Sequence, residues 1–276
     1  MEQLTILPVL ALQDQQVCLR LLCGQKKLSA TEVRIMLVKN YSNVARIYSH
    51  LMRSIDYKMW ATYILKLSRT IKKKNISVLE LACGSGEVAG YLRKKFIDYT
   101  LCDLSLQMLL SFDHQFANKI NCDITALPFK QKFDFVFSTF DSVNYLLTKT
   151  AFIKMLNSVE SCLEQKGVFT FDVSLVENSL RNLKHLNRKG EFRGIKYQQI
   201  SSFNRIKQIH QNKFVITCED GSAVTENHRQ RVFSFEDYFD MISKTKFYVY
   251  GCYEAFSFSN ASPKSERAQF VLKKRN

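Results

Sequence analysis

Val78-Leu79-Glu80-Leu81-Ala82-Cys83-Gly84-Ser85-Gly86-Glu87 is the stretch that decides the fold. The apolar residues from Ile76 to Leu81 make a run of buried-strand length that ends in a turn of small residues. Glu87–Phe96 then reads as a helix. The strand delivers an acid, Glu80, to its carboxyl end, and the small residues let the backbone pass close to a ligand before the helix begins. Open α/β sheets bind ligands at that edge, near the point where strand order reverses.

Working outward, the alternation continues. Tyr99–Asp103 reads as a strand, and Ser105–Phe116 as a helix capped by Ser105. Ile120–Asp123 and Phe133–Thr139 read as strands, Phe152–Leu163 as a helix and Gly167–Val173 as a strand. Strands alternating with helices predict an α/β fold, a mostly parallel sheet with helices on both faces. The rhythm changes after Val173. Residues 174–192 are polar and basic, and three strands follow at about Arg193–Phe203, Ile206–Glu219 and Ser222–Phe233. Asp220-Gly221 marks a hairpin between the last two. These strands predict a small antiparallel β insertion, a lid over the ligand edge. A helix at Phe235–Lys244, capped by Ser234, and strands at Phe247–Phe256 and Ala268–Lys273 bring the main sheet to seven strands. Upstream, residues 1–40 look helical, with a capping box at Ser29-Ala30-Thr31-Glu32. Residues 41–70 also read as helix, with Val44, Ile47, Tyr48, Leu51 and Ile55 on one face. The organisation is then an N-terminal extension (1–40), a ligand-binding core (41–173), a lid (174–233) and a completion of the core (234–276).

Bulk properties narrow the partners. With 276 residues, 46% hydrophobic and 24% charged, the chain has material for a sizeable core. No stretch approaches the roughly 20 apolar residues that span a bilayer. Ile6–Leu12 is short, contains Pro8 and follows Glu2, so it reads poorly as a secretory signal. No membrane partner is expected. Eight cysteines form no CxxC pair, which points to reduced core thiols in a cytoplasmic protein and to no metal site. The net charge is +15. The runs Lys72-Lys73-Lys74 and Arg93-Lys94-Lys95 read as solvated element ends. Between Arg181 and Lys213 lie nine basic residues and one acid, Glu191. That segment either recruits an anionic acceptor (a carboxylate, a phosphate or RNA) or is a solvated face.

Two cofactor classes use such a turn. Gly84-x-Gly86-x-x-Ala89, with Asp103 about 20 residues on, also fits the dinucleotide fingerprint. Glu80 argues against that class, because an acid there repels a pyrophosphate and suits an ammonium and a sulfonium. A third acid, Asp123, ends the next strand within reach of an adenine amino group. Three acids at three successive strand ends favour a cationic adenosyl ligand.

The stretch from Ile76 to Val173 resembles the class I S-adenosylmethionine-dependent methyltransferases. Glu80-Leu81-Ala82-Cys83-Gly84-Ser85-Gly86 resembles the family's first motif, with Ala82 in place of the first glycine. Cys102-Asp103-Leu104-Ser105 resembles the second, whose acid holds the ribose hydroxyls. Asn121-Cys122-Asp123-Ile124 followed by Leu127-Pro128-Phe129 resembles the third, which holds the adenine. Phe133-Asp134-Phe135-Val136-Phe137-Ser138 resembles the strand that ends beside the methyl donor. Tyr41, Val44, Ala45, Tyr48, Leu51, Met52, Asp56, Tyr57 and Trp60 are similar to the N-terminal helix of bacterial small-molecule members, which carry Tyr-Asp where this chain has Tyr48-Ser49. Glu226-x-His228-x-x-Arg231 and the last strand are similar to that subgroup too. The likeness spans residues 41–273. It implies a Rossmann-like fold, S-adenosylmethionine as cofactor and S-adenosylhomocysteine as product. It also implies cofactor contacts from Tyr41, Glu80, Ala82, Gly84, Gly86, Asp103, Leu104, Asp123, Ile124 and Ser138.

Methyl transfer needs alignment, desolvation and a nucleophile free of its proton. A base is required only for an acceptor protonated at working pH. Phe140–Tyr145 follows the fourth strand and faces the transferring methyl, so Asp141, Asn144 and Tyr145 can orient an acceptor. His228, on the last lid strand with Arg231 nearby, can take a proton. Tyr145, His228 and Asp141 are the catalytic candidates; the alternative for each is capping or packing. Three functions follow. The first is N- or O-methylation of a small molecule. The second is an RNA or protein methyltransferase, favoured by the charge but without a recognisable RNA-binding motif. The third is an inactive cofactor-binding scaffold, which the intact acids and glycines oppose. Oligomeric state and the acceptor are not legible.

Overall fold

The structure, a computed structural model, describes residues 40–275 apart from residues 97, 112–117 and 218–220. The helices expected before residue 40, and the far end of the helix expected to reach Phe116, lie outside the described residues.

The core sheet is built from β1 (Ser77–Leu81), β2 (Asp98–Asp103), β3 (Lys119–Asn121), β4 (Phe133–Ser138) and β5 (Leu163–Ser174). The lid follows as β6 (Arg188–Phe192), β7 (Ile195–Asn204), β8 (Ile209–Thr217) and β9 (Ala223–Arg231), and β10 (Phe247–Glu254) and β11 (Arg267–Lys274) complete the core. The seven-stranded sheet runs β10-β11-β5-β4-β1-β2-β3, with β3, β2, β1, β4 and β5 parallel, β11 antiparallel to both its neighbours and β10 running with the other five. The predicted mostly parallel sheet of seven strands is therefore present. From β1 the chain moves outward to β2 and β3, then crosses back to β4 on the other side of β1. That reversal opens a crevice at the carboxyl ends of β1 and β4. Register brings the ends together: Leu81 lies beside both Cys102 and Ser138, and Asp103 beside Asn121.

Both faces of the sheet are buried, as near-continuous apolar strands require. On one face, Leu79, Leu81, Phe169, Phe171 and Val173 pack under α5 (Lys149–Cys162) and α7 (Phe235–Ser243), which contribute Phe152, Met155, Tyr238 and Met241. On the other, Val78, Phe135, Phe137 and Val168 pack under α2 (Tyr57–Ser68) and α3 (Glu87–Leu92) through Trp60, Ile64, Leu67, Val88 and Leu92. Each fully buried side chain of this size contributes about 1.5–3 kcal/mol. Among the described residues no helix is long and apolar enough to cross a membrane.

The lid is a separate four-stranded antiparallel sheet. Its second strand, β7, alternates: Ile195, Tyr197, Gln199 and Ser201 are buried, and Lys196, Gln198, Ile200 and Ser202 are exposed. The apolar half of its inner face (Ile195, Tyr197, Phe214, Ile216) packs against Val44, Ile47 and Leu51 of the N-terminal segment.

Two expectations change. The helix read over residues 41–70 is broken into a 3₁₀ turn (Val44–Ile47), a single turn α1 (Tyr48–Leu51) and α2. The break falls where Asp56 caps α2 by accepting from the Met59 N–H at 2.8 Å, a local bond that competes with helix continuation. Between them, α4 (Leu106–Leu110) begins behind Ser105 as expected. Residues 174–192 hold α6 (Val176–His185) and β6, so the lid has four strands rather than three. The inward positions of α6 include Asn178, Ser179 and Asn182; Asn178 donates to Ser174 Oγ and Asn182 to Asn178 Oδ1. Beside them Val176, Leu180 and Leu183 make a half-buried apolar row at i, i+4, i+7. The β6–β7 hairpin turns on Arg193-Gly194, both at positive φ (51° and 78°), with Phe192 paired to Ile195.

Candidate active site

The chain leaves β1 through three residues in the left-handed region: Ala82 (φ 50°), Gly84 (φ 57°) and Gly86 (φ 68°). Gly86 is the residue at which α3 begins. A Cβ at Gly84 would stand 3.3 Å from Met108 Cε, so both dihedral and space favour glycine there. Ala82 adopts the same conformation with a methyl group, at a steric cost of roughly 1–2 kcal/mol. The Cys83 N–H donates to the Cys102 carbonyl at 3.0 Å, which ties the turn to β2.

Two acids frame the turn. Asp103 accepts from the Gly84 N–H at 2.7 Å and the Ser105 N–H at 2.8 Å. Burial raises its pKa, against these backbone donors. Glu80 is 1% exposed and accepts from the Tyr99 hydroxyl at 2.6 Å. Burial pushes the Glu80 carboxyl up to about 8, the Tyr99 bond opposes this, and the Asp103 charge adds to it. A cation in the pocket would draw the carboxylate form back.

Glu80 and the turn open on a cleft lined by Tyr48, Tyr57, Glu80, Ala82, Gly84 and Phe140, among others. Ser85 Oγ and Tyr57 OH, from lining residues, and Ser138 Oγ, beside the end of β1, are buried without a hydrogen-bond partner. Orphaned buried polar atoms beside an acid fit a polar, cationic ligand. Tyr41 sits over the next strand end, its carbonyl accepting from Ser105 Oγ at 3.4 Å. The remaining expected contacts lie farther along the edge and do not line this cleft. Leu104 is 70% exposed. Asp123 is exposed and accepts from the Thr125 N–H at 2.7 Å, and Ile124 packs against the core. Asn121, quoted in the third motif but given no role, donates to the Asp103 and Leu104 carbonyls at 2.9 Å and fixes the turn after β2.

A second constellation adjoins the first. The Tyr41 and Tyr145 hydroxyls are 2.8 Å apart, Tyr145 OH lies 3.2 Å from His228 Nδ1, and His228 Nε2 lies 3.1 Å from Glu226 Oε2. The other Glu226 oxygen accepts from the backbone N–H groups of Asn43 and Val44. Glu226 and His228 are buried; period-two alternation puts them on one face of β9, a signal present in the sequence but not read as a pair. Tyr48 packs edge-on to Tyr41 at 5.7 Å and so joins this row to the cleft. Burial raises the pKa of both Tyr41 and Tyr145, which keeps the phenols protonated.

Asp141 is placed differently from Tyr145 and His228. Its carboxylate pairs with Arg267 at 2.6 Å and accepts from Gln230 at 2.6 Å, while its N–H donates to Asp172. Arg267 also pairs with Asp172 and stands 5.6 Å from the Trp60 ring. These bonds hold Phe140 and Asp141, consecutive non-glycine residues at φ 60° and 47°. Asn144 is likewise a buried pin, bonded to Ser174, Arg231 and Tyr238. Of the nine basic residues between Arg181 and Lys213, eight are exposed. Only Arg188 is half-buried, donating to Gln199 Oε1 at 2.8 Å.

This strand order, with an acid-framed glycine turn after β1 and an acid ending β2, is the arrangement of the class I, S-adenosylmethionine-dependent methyltransferases, to which the chain is similar. Residues 78–167 match the family model described as a methyltransferase domain. Over 246 residues the chain is 29% identical to YqeM of Bacillus subtilis (strain 168), an inferred methyltransferase, covering 85% of this chain and 97% of that protein. A solved S-adenosylmethionine-dependent methyltransferase from Clostridium acetobutylicum ATCC 824 superposes with a TM-score of 0.70 at 23% identity, over 86% of this chain and all of that one. The sugar N-methyltransferase KedS8 from Streptoalloteichus sp ATCC 53650 gives 0.69 at 18% identity, over 92% and 100%. At these identities the two solved structures speak for the fold.

Proposed function

We propose that this chain methylates a nitrogen or oxygen atom of a polar small molecule and that Tyr145 and His228 receive the proton the acceptor loses. Glu80, Asp103 and the Ala82–Gly86 turn would hold the donor. When bound, the donor supplies a methyl group on a sulfonium, already activated for displacement. The protein's own part is to bind, align, exclude water and take up a proton. The observation that carries this reading is the hydrogen-bonded row from Tyr41 through Tyr145 to buried His228, which the packing of Tyr48 on Tyr41 joins to the cleft. Asp141, with its carboxylate committed to Arg267 and Gln230, serves to set the loop rather than to take a proton.

The inner wall of the lid supports a polar acceptor. Gln199 donates to Asn212 at 3.1 Å, and Ser201 Oγ lies 2.8 Å from His210 Nε2. The likeness to a sugar N-methyltransferase agrees with such a wall. The outward position of eight of the nine basic residues weighs against a small anionic acceptor held by them inside the lid.

The test is methyl transfer from labelled donor to three pools: amino sugars and other small polar amines and alcohols, total RNA, and protein. Label in the small-molecule pool is expected. With that acceptor, Tyr145→Phe and His228→Ala should each lower kcat, by roughly 10²-fold or more for His228. Label confined to RNA or protein would overturn the acceptor class.

A further inference from the structure

Glu226 does two things at once. One carboxylate oxygen meets His228 Nε2, and the other accepts from the N–H groups of Asn43 and Val44, next to Tyr41. We propose that Glu226 is a positioning residue that fixes the tautomer of His228, and with it the direction in which the tyrosine row conducts a proton. This inference rests on the reading of Tyr145 and His228 as the proton-accepting pair.

The direction follows from donor and acceptor capacity. A carboxylate only accepts, so His228 Nε2 must carry a hydrogen. Neutral His228 then presents a lone pair at Nδ1, and the Tyr145 hydroxyl donates to it. With its one hydrogen committed, Tyr145 can only accept from Tyr41, whose hydroxyl must donate inward. Tyr41 oxygen is left with its lone pairs for a proton arriving from the acceptor. That proton goes to Tyr41 oxygen, the Tyr41 hydrogen to Tyr145 oxygen and the Tyr145 hydrogen to His228 Nδ1. One proton leaves the acceptor and one arrives at His228, as an imidazolium beside the Glu226 carboxylate. The three hydrogen bonds of the row persist throughout; the hydrogens between Tyr41 and Tyr145 and between Tyr145 and His228 change sides, and the one between His228 and Glu226 stays on Nε2.

The surroundings suit this assignment. His228 is faced by Glu226 on its own strand, by Tyr145 from the loop after β4, by the Tyr41 ring from the N-terminal segment (4.5 Å between centroids) and by the Phe214 ring from β8 (5.1 Å). Asp103 and Asp141 act on the tyrosines from farther off. Glu226 is thus the charge that directly touches the ring. Its carboxyl is held below the usual range by the His228 bond and by the two backbone donors, in spite of burial. Because the same carboxylate holds residues 43 and 44, the row is complete only when the N-terminal segment is seated on the lid.

Glu226→Gln separates these roles. The amide oxygen keeps the backbone latch, while the amide NH₂ offers a hydrogen to Nε2 and drives the ring proton to Nδ1. Nitrogen-15 NMR of labelled histidine reads the tautomer without any acceptor. The full chain should show Nε2–H at His228, and Glu226→Gln should show Nδ1–H. Donor affinity should stay within twofold, acceptor KM within a few-fold, and kcat should fall by about 10- to 100-fold, with substantial rescue in Glu226→Asp. An Nδ1–H tautomer in the unmodified protein overturns the proposal, even if the glutamine variant fails to fold. So does a flipped tautomer with unchanged kcat. If the tautomers are as stated but no small molecule accepts a methyl group, the acceptor reading fails and the polarity assignment stands.

Discussion

The cradle and the lid row adjoin each other and are made in opposite ways. The cradle uses consecutive residues, Glu80 to Gly86, plus Asp103 at the next strand end, and much of its bonding is backbone. The row uses side chains from three distant places in the chain: Tyr41, Tyr145 and His228. A parallel sheet sets the positions of its strand ends through its register, so the cradle exists whenever the sheet folds. The row exists only if the N-terminal segment, the loop after β4 and the lid are all seated. Donor binding and proton uptake should therefore fail separately.

The largest separation is expected from Glu80→Ala combined with Asp103→Ala. At about 1.5–3 kcal/mol for each charged hydrogen-bonding group, donor affinity should fall by two powers of ten or more, measured calorimetrically, while the His228 tautomer is unchanged. Unaltered affinity would mean the cradle is not the donor site. Protonation sharpens the test. With its pKa near 8, Glu80 is mostly neutral at pH 7, and a cationic ligand requires the carboxylate. Binding should release most of one proton, seen as a dependence of the binding enthalpy on buffer, and Glu80→Gln should abolish it. The stability sign is the reverse. A folded pKa raised from 4.5 to about 8 makes the unliganded protein lose stability as pH climbs through that window, because the buried carboxyl must ionise.

Next comes Arg267→Ala, which removes the cation between Asp141 and Asp172. Breaking a buried pair from one side costs about 3–5 kcal/mol, measured by urea unfolding. Phe140 and Asp141 should then relax from the left-handed region, and kcat should suffer more than donor affinity in the protein that remains folded. A loss of less than 1 kcal/mol would show that the loop holds itself.

The same contrast governs what the sequence discloses. The cradle, the parallel core and the antiparallel pairing of β8 with β9 follow from local patterns: an apolar strand, left-handed turn residues, alternation of strand and helix. The partnership of Glu226 with His228 was visible as an i, i+2 pair, but its contact with residues 43 and 44 depends on how the N-terminal segment packs on the lid. The helix α6 carries an apolar row at helical spacing, Val176, Leu180 and Leu183, but the asparagines and basic residues between them made residues 174–192 read as a polar stretch. Asp141 looked catalytic from its place after β4; what engages it, Arg267, is 126 positions away and carries no local signal. The basic lid segment read either as a recruiting surface or as a solvated face; eight of its nine cations are exposed, two on α6, three in hairpin turns and three on strands.

Ala82 offers the smallest and most discriminating effect. It stands where the family pattern has glycine, at φ 50°, and its methyl belongs to the lining of the donor cleft. Two explanations for alanine differ in outcome. If the methyl is only tolerated, Ala82→Gly relieves roughly 1–2 kcal/mol of steric strain. Part of that gain is offset by the greater freedom of glycine in the unfolded chain. The net effect should be stabilisation by about 0.5–1 kcal/mol in urea unfolding, with donor affinity unchanged within twofold. If the methyl instead packs against the bound donor, the glycine variant gains the same stability but loses affinity, by up to about 0.8 kcal/mol for one buried methyl-sized group. Stability alone therefore cannot decide between them; the affinity measurement does, and a loss there would extend the cradle from its acids and amides to an apolar contact.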